Sequence, residues 1–495
     1  MVNPETLKGK TIKGVFWSFT DIMANQGVQF IVLMILARQL LPEHFGIIGM
    51  ITIFISISNS LIDSGFTQAL VREQEPTQED YSTAFYFNLL MGFIMYGILF
   101  FSAGFISFFF KEPNLSSIIR ILAIVVIINS VTIIQRAILI KKVDFKTQMK
   151  INIISGISSG ITAIICAGFG LGVWSLVIKT LLMQSVTSFL LWIHNKWKPS
   201  IVFNFSSFKR LFGFGSKMMI SGIIDTIYTN IYYVIIGKFY SSTQLGYYSN
   251  AVKLSDVASQ SITSSIQRVT YPVLSTLQND QEKLKFGYKK IMKVSAFINF
   301  PVMAGLAAIA VPLVSLILGE KWIQLVPYFQ LLCLAYMLYP FHVINLNILQ
   351  VKGRSDLFLL LEIIKKIVTT ILIALAIFLH LGIIGLIWVA IINSFIALFI
   401  NSFFSAKEIS YSISKQIIDI LPHFLISIFM GGIVYILGTL IQANIAIKLI
   451  VQIGCGVLLY IAFCWMFRLK ELEMVFQLLL RFFQNRKQRL KSGGI

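Results

Sequence analysis

The chain has 495 residues, of which 57% are hydrophobic and only 13% are charged, and its formal net charge is +20. An ordinary soluble domain is roughly 25% charged, so this composition excludes a soluble globular protein and predicts an all-α integral membrane protein. The positive charge would also suit a nucleic-acid-binding protein, but it lies mainly between apolar runs, so no nucleic-acid partner is expected.

Fourteen apolar runs follow one another along the chain, and each is long enough to cross a hydrocarbon core of roughly 30 Å as a helix. An even number of crossings places both termini on the same side of the membrane. The predicted spans are 14–37, 44–66, 83–110, 114–140, 151–169, 173–194, 212–237, 249–272, 291–318, 327–351, 357–380, 383–405, 419–441 and 445–467.

Lysine and arginine are divided unequally between the two sets of connecting segments. The segments on one side, including both termini, carry 28 of these residues, and the opposite loops carry four, namely Arg38, Lys111, Lys238 and Lys321. Cytoplasmic loops of membrane proteins carry the excess of positive charge. Both termini are therefore predicted to be cytoplasmic.

Two segments 200 residues apart share a pattern. Residues 37–46 and 237–246 each end an apolar run, place a cation directly after it (Arg38, Lys238) and a glycine eight residues past the cation. Duplicated halves are how many transporters build a central site that faces either side. Since both cations follow helices that run outward, Arg38 and Lys238 are candidates for shaping an outer gate.

This repeat predicts the domain organisation. Six helices form an N-terminal lobe at 1–194, a cytoplasmic linker covers 195–211, and six more helices form a C-terminal lobe at 212–405. Two extra helices, 13 and 14, occupy 419–467. A basic amphipathic tail at 468–495 is expected to lie on the anionic cytoplasmic leaflet, and the alternative for 486–495 is a solvated basic tail.

Polar side chains inside the spans are costly in lipid and usually face a cavity or a partner helix. Two triplets, also offset by 200, each lie on one helix face: Asp21, Asn25 and Gln29 in the first helix, and Ser221, Asp225 and Thr229 in the seventh. We expect the two faces to converge on one central cavity. The alternative is that these groups form hydrogen bonds between helices.

The cations within the spans also fall into two groups, those that have a local explanation in the sequence and those that do not. Lys365 and Lys366 follow Glu362 at helical spacing, which predicts local neutralisation, whereas Lys179 has no acidic neighbour close in sequence. Arg136 and Arg268 lie about one turn inside cytoplasmic helix ends, where snorkelling explains them. Any of these cations that face a cavity would suit an anionic headgroup such as a pyrophosphate.

No catalytic motif, metal-ligand spacing or cofactor-binding loop occurs in the sequence, so no enzyme, metal or cofactor is expected. The outer loops are short, and at 170–172 and 381–382 they are little more than a glycine turn. A membrane glycosyltransferase or polymerase, which is one alternative function, would need a larger external loop to hold catalytic groups.

The sequence resembles the polysaccharide-export branch of the multidrug/oligosaccharidyl-lipid/polysaccharide flippase superfamily, the Wzx-type O-antigen and lipopolysaccharide biosynthesis proteins. The resemblance covers roughly 1–420 and is specific only as a set of motifs. The matching stretches lie at 37–46, 63–70 (beginning Asp63-Ser64-Gly65-Phe66), 82–88, 135–137, 144–146, 236–248 and 268–275.

The resemblance implies a bacterial inner-membrane flippase whose cavity opens alternately inward and outward. It implies an undecaprenyl-pyrophosphate-linked oligosaccharide as substrate, with membrane lipids around the polyprenyl tail and helices 13 and 14 helping to form a tail groove. Polysaccharide polymerase and chain-length machinery are expected partners. Coupling to protons or sodium is considered, with Asp225 as the candidate carrier. The alternative within transport is a small-molecule or drug antiporter of the same superfamily.

Overall fold

The computed structural model describes residues 4–473, with the side chains of Trp17 and of 20–473 apart from 265, 268, 269 and 355. The predicted tail at 468–495 lies outside the described residues from position 474 onward. Within the described part every regular element is a helix, so the all-α prediction is confirmed there.

The described residues form helices in the following order: α1 Pro4–Gln39, α2 Pro42–Asp63, α3 Phe66–Arg72, α4 Gln78–Phe110, α5 Leu115–Leu122, α6 Ile124–Lys141, α7 Phe145–Gly168, α8 Val173–Asn195, α9 Phe205–Phe239, α10 Ser242–Thr276, α11 Gln281–Ala308, α12 Ala310–Ile317, a 3-10 turn Glu320–Leu325, α13 Val326–Met337, α14 Tyr339–Val351, α15 Ser355–Phe378, α16 Gly382–Ile409, α17 Ile413–Leu440 and α18 Ile445–Met466.

Twelve helical stretches of the described chain are long and apolar enough to cross a membrane. Two predicted spans, 249–272 and 357–380, fall on α10 and α15, which are helical but are not among the twelve. Their polar content explains the difference, because α10 is rich in serine and threonine and α15 carries Glu362, Lys365 and Lys366. The number of fourteen spans stays a prediction.

The chain divides into two compact units, Met1–Asn250 and Ala251–Ile495, with the boundary inside α10. In the first unit α1 packs along α7, α2 packs along α9, and α6 packs against both α4 and α8. In the second unit α11 packs along α17, α15 along α16, and α18 along α17. The lobes predicted at 1–194 and 212–405 stay a prediction.

The predicted helix at 44–66 is interrupted near its end. Ser64 and Gly65 adopt left-handed backbone angles, with φ of 46° and 71°, and separate α2 from α3. A Cβ atom on Gly65 would lie 2.4 Å from the carbonyl oxygen of Gly215 in α9. Because only glycine tolerates both this backbone conformation and this approach, Gly65 allows α9 to pack against the end of α2.

The two repeat glycines lie in one close backbone contact within the first unit. A Cβ atom on Gly46 would lie 1.7 Å from the carbonyl oxygen of Ser242, and one on Gly246 would lie 1.8 Å from that of Pro42. Each glycine thus admits the first turn of the helix that belongs to the other repeat. This reciprocity gives the 200-residue offset found in the sequence a structural meaning.

Candidate functional site

The first polar triplet lies on the side of α1 that meets α7 and α8. Asn152 Nδ2 in α7 donates to Asp21 Oδ1 at 3.0 Å, and Gln29 Nε2 lies 3.4 Å from Met183 Sδ in α8. Asp21 is only 7% exposed. Among the described residues, the buried Asn25 Oδ1 has no hydrogen-bond partner. The triplet therefore makes contacts between helices of the first unit.

Arg136 on α6 connects this triplet to a cavity. The negative charge of Asp21 attracts the Arg136 guanidinium, and Arg136 keeps an exposed surface because it lines a cavity of about 310 Å³. A cation surrounded by membrane-spanning helices needs such a compensating charge or water. Its sequence position alone had favoured snorkelling to the cytoplasmic surface.

All the other lining residues of this cavity except Ile133 carry a polar group. Asn129 Nδ2 donates to Asn59 Oδ1 at 3.0 Å across the contact between α6 and α2. Asp63 accepts hydrogen bonds from the Thr67 backbone N–H at 3.1 Å and from the Thr67 hydroxyl at 2.6 Å. The lining residues, all from the first unit, are Asn59, Asp63, Thr67, Asn129, Thr132, Ile133, Arg136 and Gln184. We call this space the polar cavity.

Of the cavity residues, sequence reasoning considered only Arg136 and explained it by snorkelling, although the pattern contains a signal for the others. Asn59 and Asp63 are four residues apart on α2, and Asn129 and Arg136 are seven apart on α6, so each pair lies on one helix face. The face rule that selected the triplets would also have selected these pairs. Spacing within each helix does not show that the two faces meet, because this depends on how α2 packs on α6.

The second triplet is arranged differently from the first. Ser221, Asp225 and Thr229 are all exposed on α9, and none of them lines the polar cavity. The neighbouring Thr226 instead forms a 3.2 Å hydrogen bond with Ser60 on α2. The face of α9 that packs against α2 is thus different from the face that carries the second triplet.

The candidate lysines lie in separate places. Lys179 is half-buried on α8 of the first unit. In the second unit Lys365 pairs with Glu362 at 2.5 Å, as the spacing predicted. Lys366, next to it, is half-buried.

The two outer-gate candidates differ in their surroundings. Arg38 is exposed at the end of α1. Lys238 donates from Nζ to the carbonyl oxygen of Phe109 at 2.6 Å, and the same atom lies 4.1 Å from the centre of the Phe109 ring. Lys238 therefore caps the carboxyl end of α4. Their role in a gate stays a prediction.

The second unit holds an apolar groove of about 600 Å³ between α11, α17 and α18. Its walls are aliphatic and aromatic, and at Gly305 and Gly456 no side chain projects into the groove. Gln452 is an exception, and its Nε2 is used in a 2.9 Å hydrogen bond to the carbonyl oxygen of Val434. Helices α17 and α18 correspond to the predicted extra helices 13 and 14.

Within residues 4–473, no group of three or more histidine, cysteine, aspartate or glutamate side chains is placed to hold a metal ion.

Comparison with known proteins gives consistent matches. A family model described as polysaccharide biosynthesis protein matches residues 35–327. The teichuronic acid biosynthesis protein TuaB of Bacillus subtilis is 28% identical over 308 residues, which is 62% of this chain and 63% of TuaB. The lipopolysaccharide biosynthesis protein WzxC of Escherichia coli is 25% identical over 357 residues, which is 71% of this chain and 72% of WzxC.

Among solved structures, the lipid II flippase MurJ in an inward closed conformation superposes with a TM-score of 0.74. The superposition covers 92% of this chain and 98% of MurJ at 16% sequence identity. At that identity the likeness establishes the fold alone.

Proposed function

Because the chain belongs to the polysaccharide biosynthesis protein family, we propose that it is a flippase for a lipid-linked oligosaccharide. The substrate is an undecaprenyl-pyrophosphate-linked oligosaccharide, which moves from the cytoplasmic to the outer leaflet of a bacterial inner membrane. The movement proceeds by alternating access and supplies a surface polysaccharide. The headgroup of such a lipid needs a polar environment and its polyprenyl tail needs an apolar one. The chain contains a polar cavity and an apolar groove.

The observation that carries this proposal is the polar cavity. Three helices that are apolar enough to cross a membrane, α2, α6 and α8, turn amide, carboxylate and guanidinium groups toward one space. Such groups cost several kcal/mol when they face hydrocarbon without partners. They are therefore arranged for water or for a polar ligand, and a hydrophilic headgroup has to cross the membrane through such an environment.

The apolar groove supports the lipid part of the proposal. A polyprenyl tail is stabilised by apolar contact along its whole length, and the groove between α11, α17 and α18 provides walls of that kind. In this scheme the tail remains in lipid or in the groove while the headgroup crosses.

The energy source follows from the charge of the substrate. A diphosphate is anionic, and a membrane potential that is negative inside favours its outward movement by about 2.3 kcal/mol per charge for each 100 mV crossed. Proton or sodium coupling would use a carboxylate within a span. Asp225, which is exposed on α9, is the candidate for that role.

Deletion of the gene in its native host tests the proposal. We expect surface polysaccharide to be lost and the lipid-linked oligosaccharide to accumulate in the cytoplasmic leaflet, where an impermeant sugar-oxidising reagent does not reach it in intact cells. A plasmid copy of the wild-type gene should reverse both effects. Unchanged surface polysaccharide, or accumulation in the outer leaflet, would contradict a flippase role.

A further inference from the structure

The polar cavity combines hydrogen-bond acceptors with donors. Asp63 and Asn59 present oxygen acceptors, while Arg136 and the Gln184 amide present donors. Diphosphate oxygens accept hydrogen bonds but do not donate them, so a diphosphate would leave the Asp63 carboxylate opposed to a like charge. A sugar hydroxyl both donates and accepts. The mixture therefore matches a polyhydroxyl ligand.

The charge at the cavity points the same way. Among the lining residues that the structure describes, Arg136 is the one cation. Asp63 places a carboxylate in the same wall. The described lining thus pairs one cation with one carboxylate and offers no surplus of positive charge to attract a diphosphate, whereas an uncharged ligand needs none.

The cavity is also built and sized for a small ligand. The 3.0 Å hydrogen bond between Asn129 and Asn59 holds two of its amides in place, which limits the ordering cost when a ligand binds. Its volume of about 310 Å³ lies at the lower end of the roughly 300–1,000 Å³ range of small-molecule sites. This is room for a small part of an oligosaccharide.

We propose that the polar cavity is a sugar subsite: it binds a sugar ring of the headgroup through its hydroxyls, while the diphosphate binds elsewhere. This inference rests on the proposed function, and it adds that the first unit selects which oligosaccharide is carried. Gln184, Asn129 and Asn59 are the residues that determine specificity.

Two lipids separate the sugar from the diphosphate. The full-length protein, purified into lipid nanodiscs, is titrated with the lipid-linked oligosaccharide extracted from the deletion strain and, separately, with undecaprenyl diphosphate. The variants are Gln184→Leu and Asn129→Leu, which replace an amide with an apolar branched side chain and remove its hydrogen bonds. Asn230→Leu in α9 is the matched control, because Asn230 Nδ2 bonds to the carbonyl oxygen of Thr226 on its own helix.

We expect each cavity variant to bind the lipid-linked oligosaccharide about tenfold more weakly, as when a site loses one hydrogen bond to a substrate hydroxyl. Binding of undecaprenyl diphosphate should not change, and the control should bind both lipids like the wild type. A monodisperse size-exclusion profile for each variant shows that it is folded.

Other outcomes overturn the inference. Equal weakening for both lipids would assign the cavity to the diphosphate. Unchanged binding of both lipids by Gln184→Leu and Asn129→Leu would make the cavity residues structural. If the wild type binds neither lipid, the proposed function itself fails, and this result is distinct from the other two.

Discussion

Asp21 shows how a single carboxylate is accommodated inside a membrane-spanning helix. It is almost fully buried, it accepts a hydrogen bond from Asn152, and it attracts Arg136. Burying the Asp21 carboxylate without such partners would cost several kcal/mol. Asp21 and the Asn152 amide therefore join α1 to α7, and the positive charge of Arg136 on α6 acts on the same carboxylate.

Replacement of Asp21 by Asn tests this coupling. Asp21→Asn removes the charge that compensates Arg136, and we expect it to lower the free energy of unfolding by about 1–3 kcal/mol. Thermal unfolding of the purified protein measures the change. The double variant Asp21→Asn/Arg136→Gln should lose less than the sum of the two single variants. Additive losses would mean that the two charges do not act on each other.

Asp225 represents the opposite case, a carboxylate that is exposed on its helix. If it carries the coupling ion, Asp225→Asn should insert normally into the membrane but abolish export, because an amide does not titrate. Surface polysaccharide on complemented deletion cells measures export, and immunoblotting of membranes measures insertion. Asn230→Leu on the same helix is the control. Wild-type polysaccharide in Asp225→Asn cells would remove the residue from the mechanism.

Residue patterns described arrangements within single helices but did not select the lining of the polar cavity, for an identifiable reason. Helical spacing correctly placed Asp21, Asn25 and Gln29 on one face of α1, and the pairing of Lys365 with Glu362 followed from the same rule. Periodicity within one helix does not determine its neighbours. That Asn129 meets Asn59 depends on packing between α6 and α2, and sequence spacing contains no information about it.

Among the helices, α2 carries the most information about how the first unit is built. Gly46 in its second turn admits the carbonyl oxygen of Ser242, and Gly65 just after its end admits that of Gly215. Both ends are thus held by backbone contacts without side chains between them. The apolar pattern predicted the helix but not the left-handed residues that end it, because a single glycine in an apolar run does not interrupt hydrophobicity.

Substitution of the repeat glycines tests the contact between α2 and α10. A methyl group at Gly46 or Gly246 would overlap a carbonyl oxygen, so the helices would have to separate. We expect Gly46→Ala and Gly246→Ala each to destabilise the protein by about 1–3 kcal/mol and to reduce export. Thermal unfolding and surface polysaccharide measure the two effects.

The control for these variants is Gly222→Ala in α9. A Cβ atom at Gly222 would meet nothing within 4 Å, and alanine is the better helix former. This variant should be as stable as the wild type or more so. If all three alanine variants behave alike, the glycine contact has no special role.

The apolar groove allows an equally direct test at the scale of elements. A Cβ atom at Gly305 would meet nothing within 4 Å, and Gly305 lines the groove. Gly305→Phe should therefore fill the groove without disturbing its walls, and export should fall if a polyprenyl tail uses it. Gly454→Phe on α18 is the matched control, since Gly454 is equally open but does not line the groove.

At the scale of the whole molecule, composition and the repeated apolar runs were enough to predict an all-α integral membrane protein. The resemblance to polysaccharide-export flippases is confirmed by the family match and by the relatives, and the all-α membrane fold by the likeness to MurJ. The fold could be predicted from composition because few folds satisfy the backbone hydrogen bonds in lipid. Orientation in the membrane is a separate matter that the loop charges predict.

The two ends of α17 provide a test of that orientation. All native cysteines are first removed. Single cysteines then replace Lys415, near the start of α17, and Ala443, after its end, and both positions are exposed. The charge distribution predicts that an impermeant maleimide labels Ala443→Cys in intact cells, and Lys415→Cys only after permeabilisation. The reverse pattern would place both termini outside.

The contact between Gly46 and Gly246 has a consequence for the sequence of the chain. Each glycine makes room for the backbone of the helix that begins the equivalent segment, four residues before the other glycine. A larger residue at either position would damage this contact in the same way. The two positions are therefore under one shared constraint, which accounts for a glycine at the end of both copies of the predicted repeat.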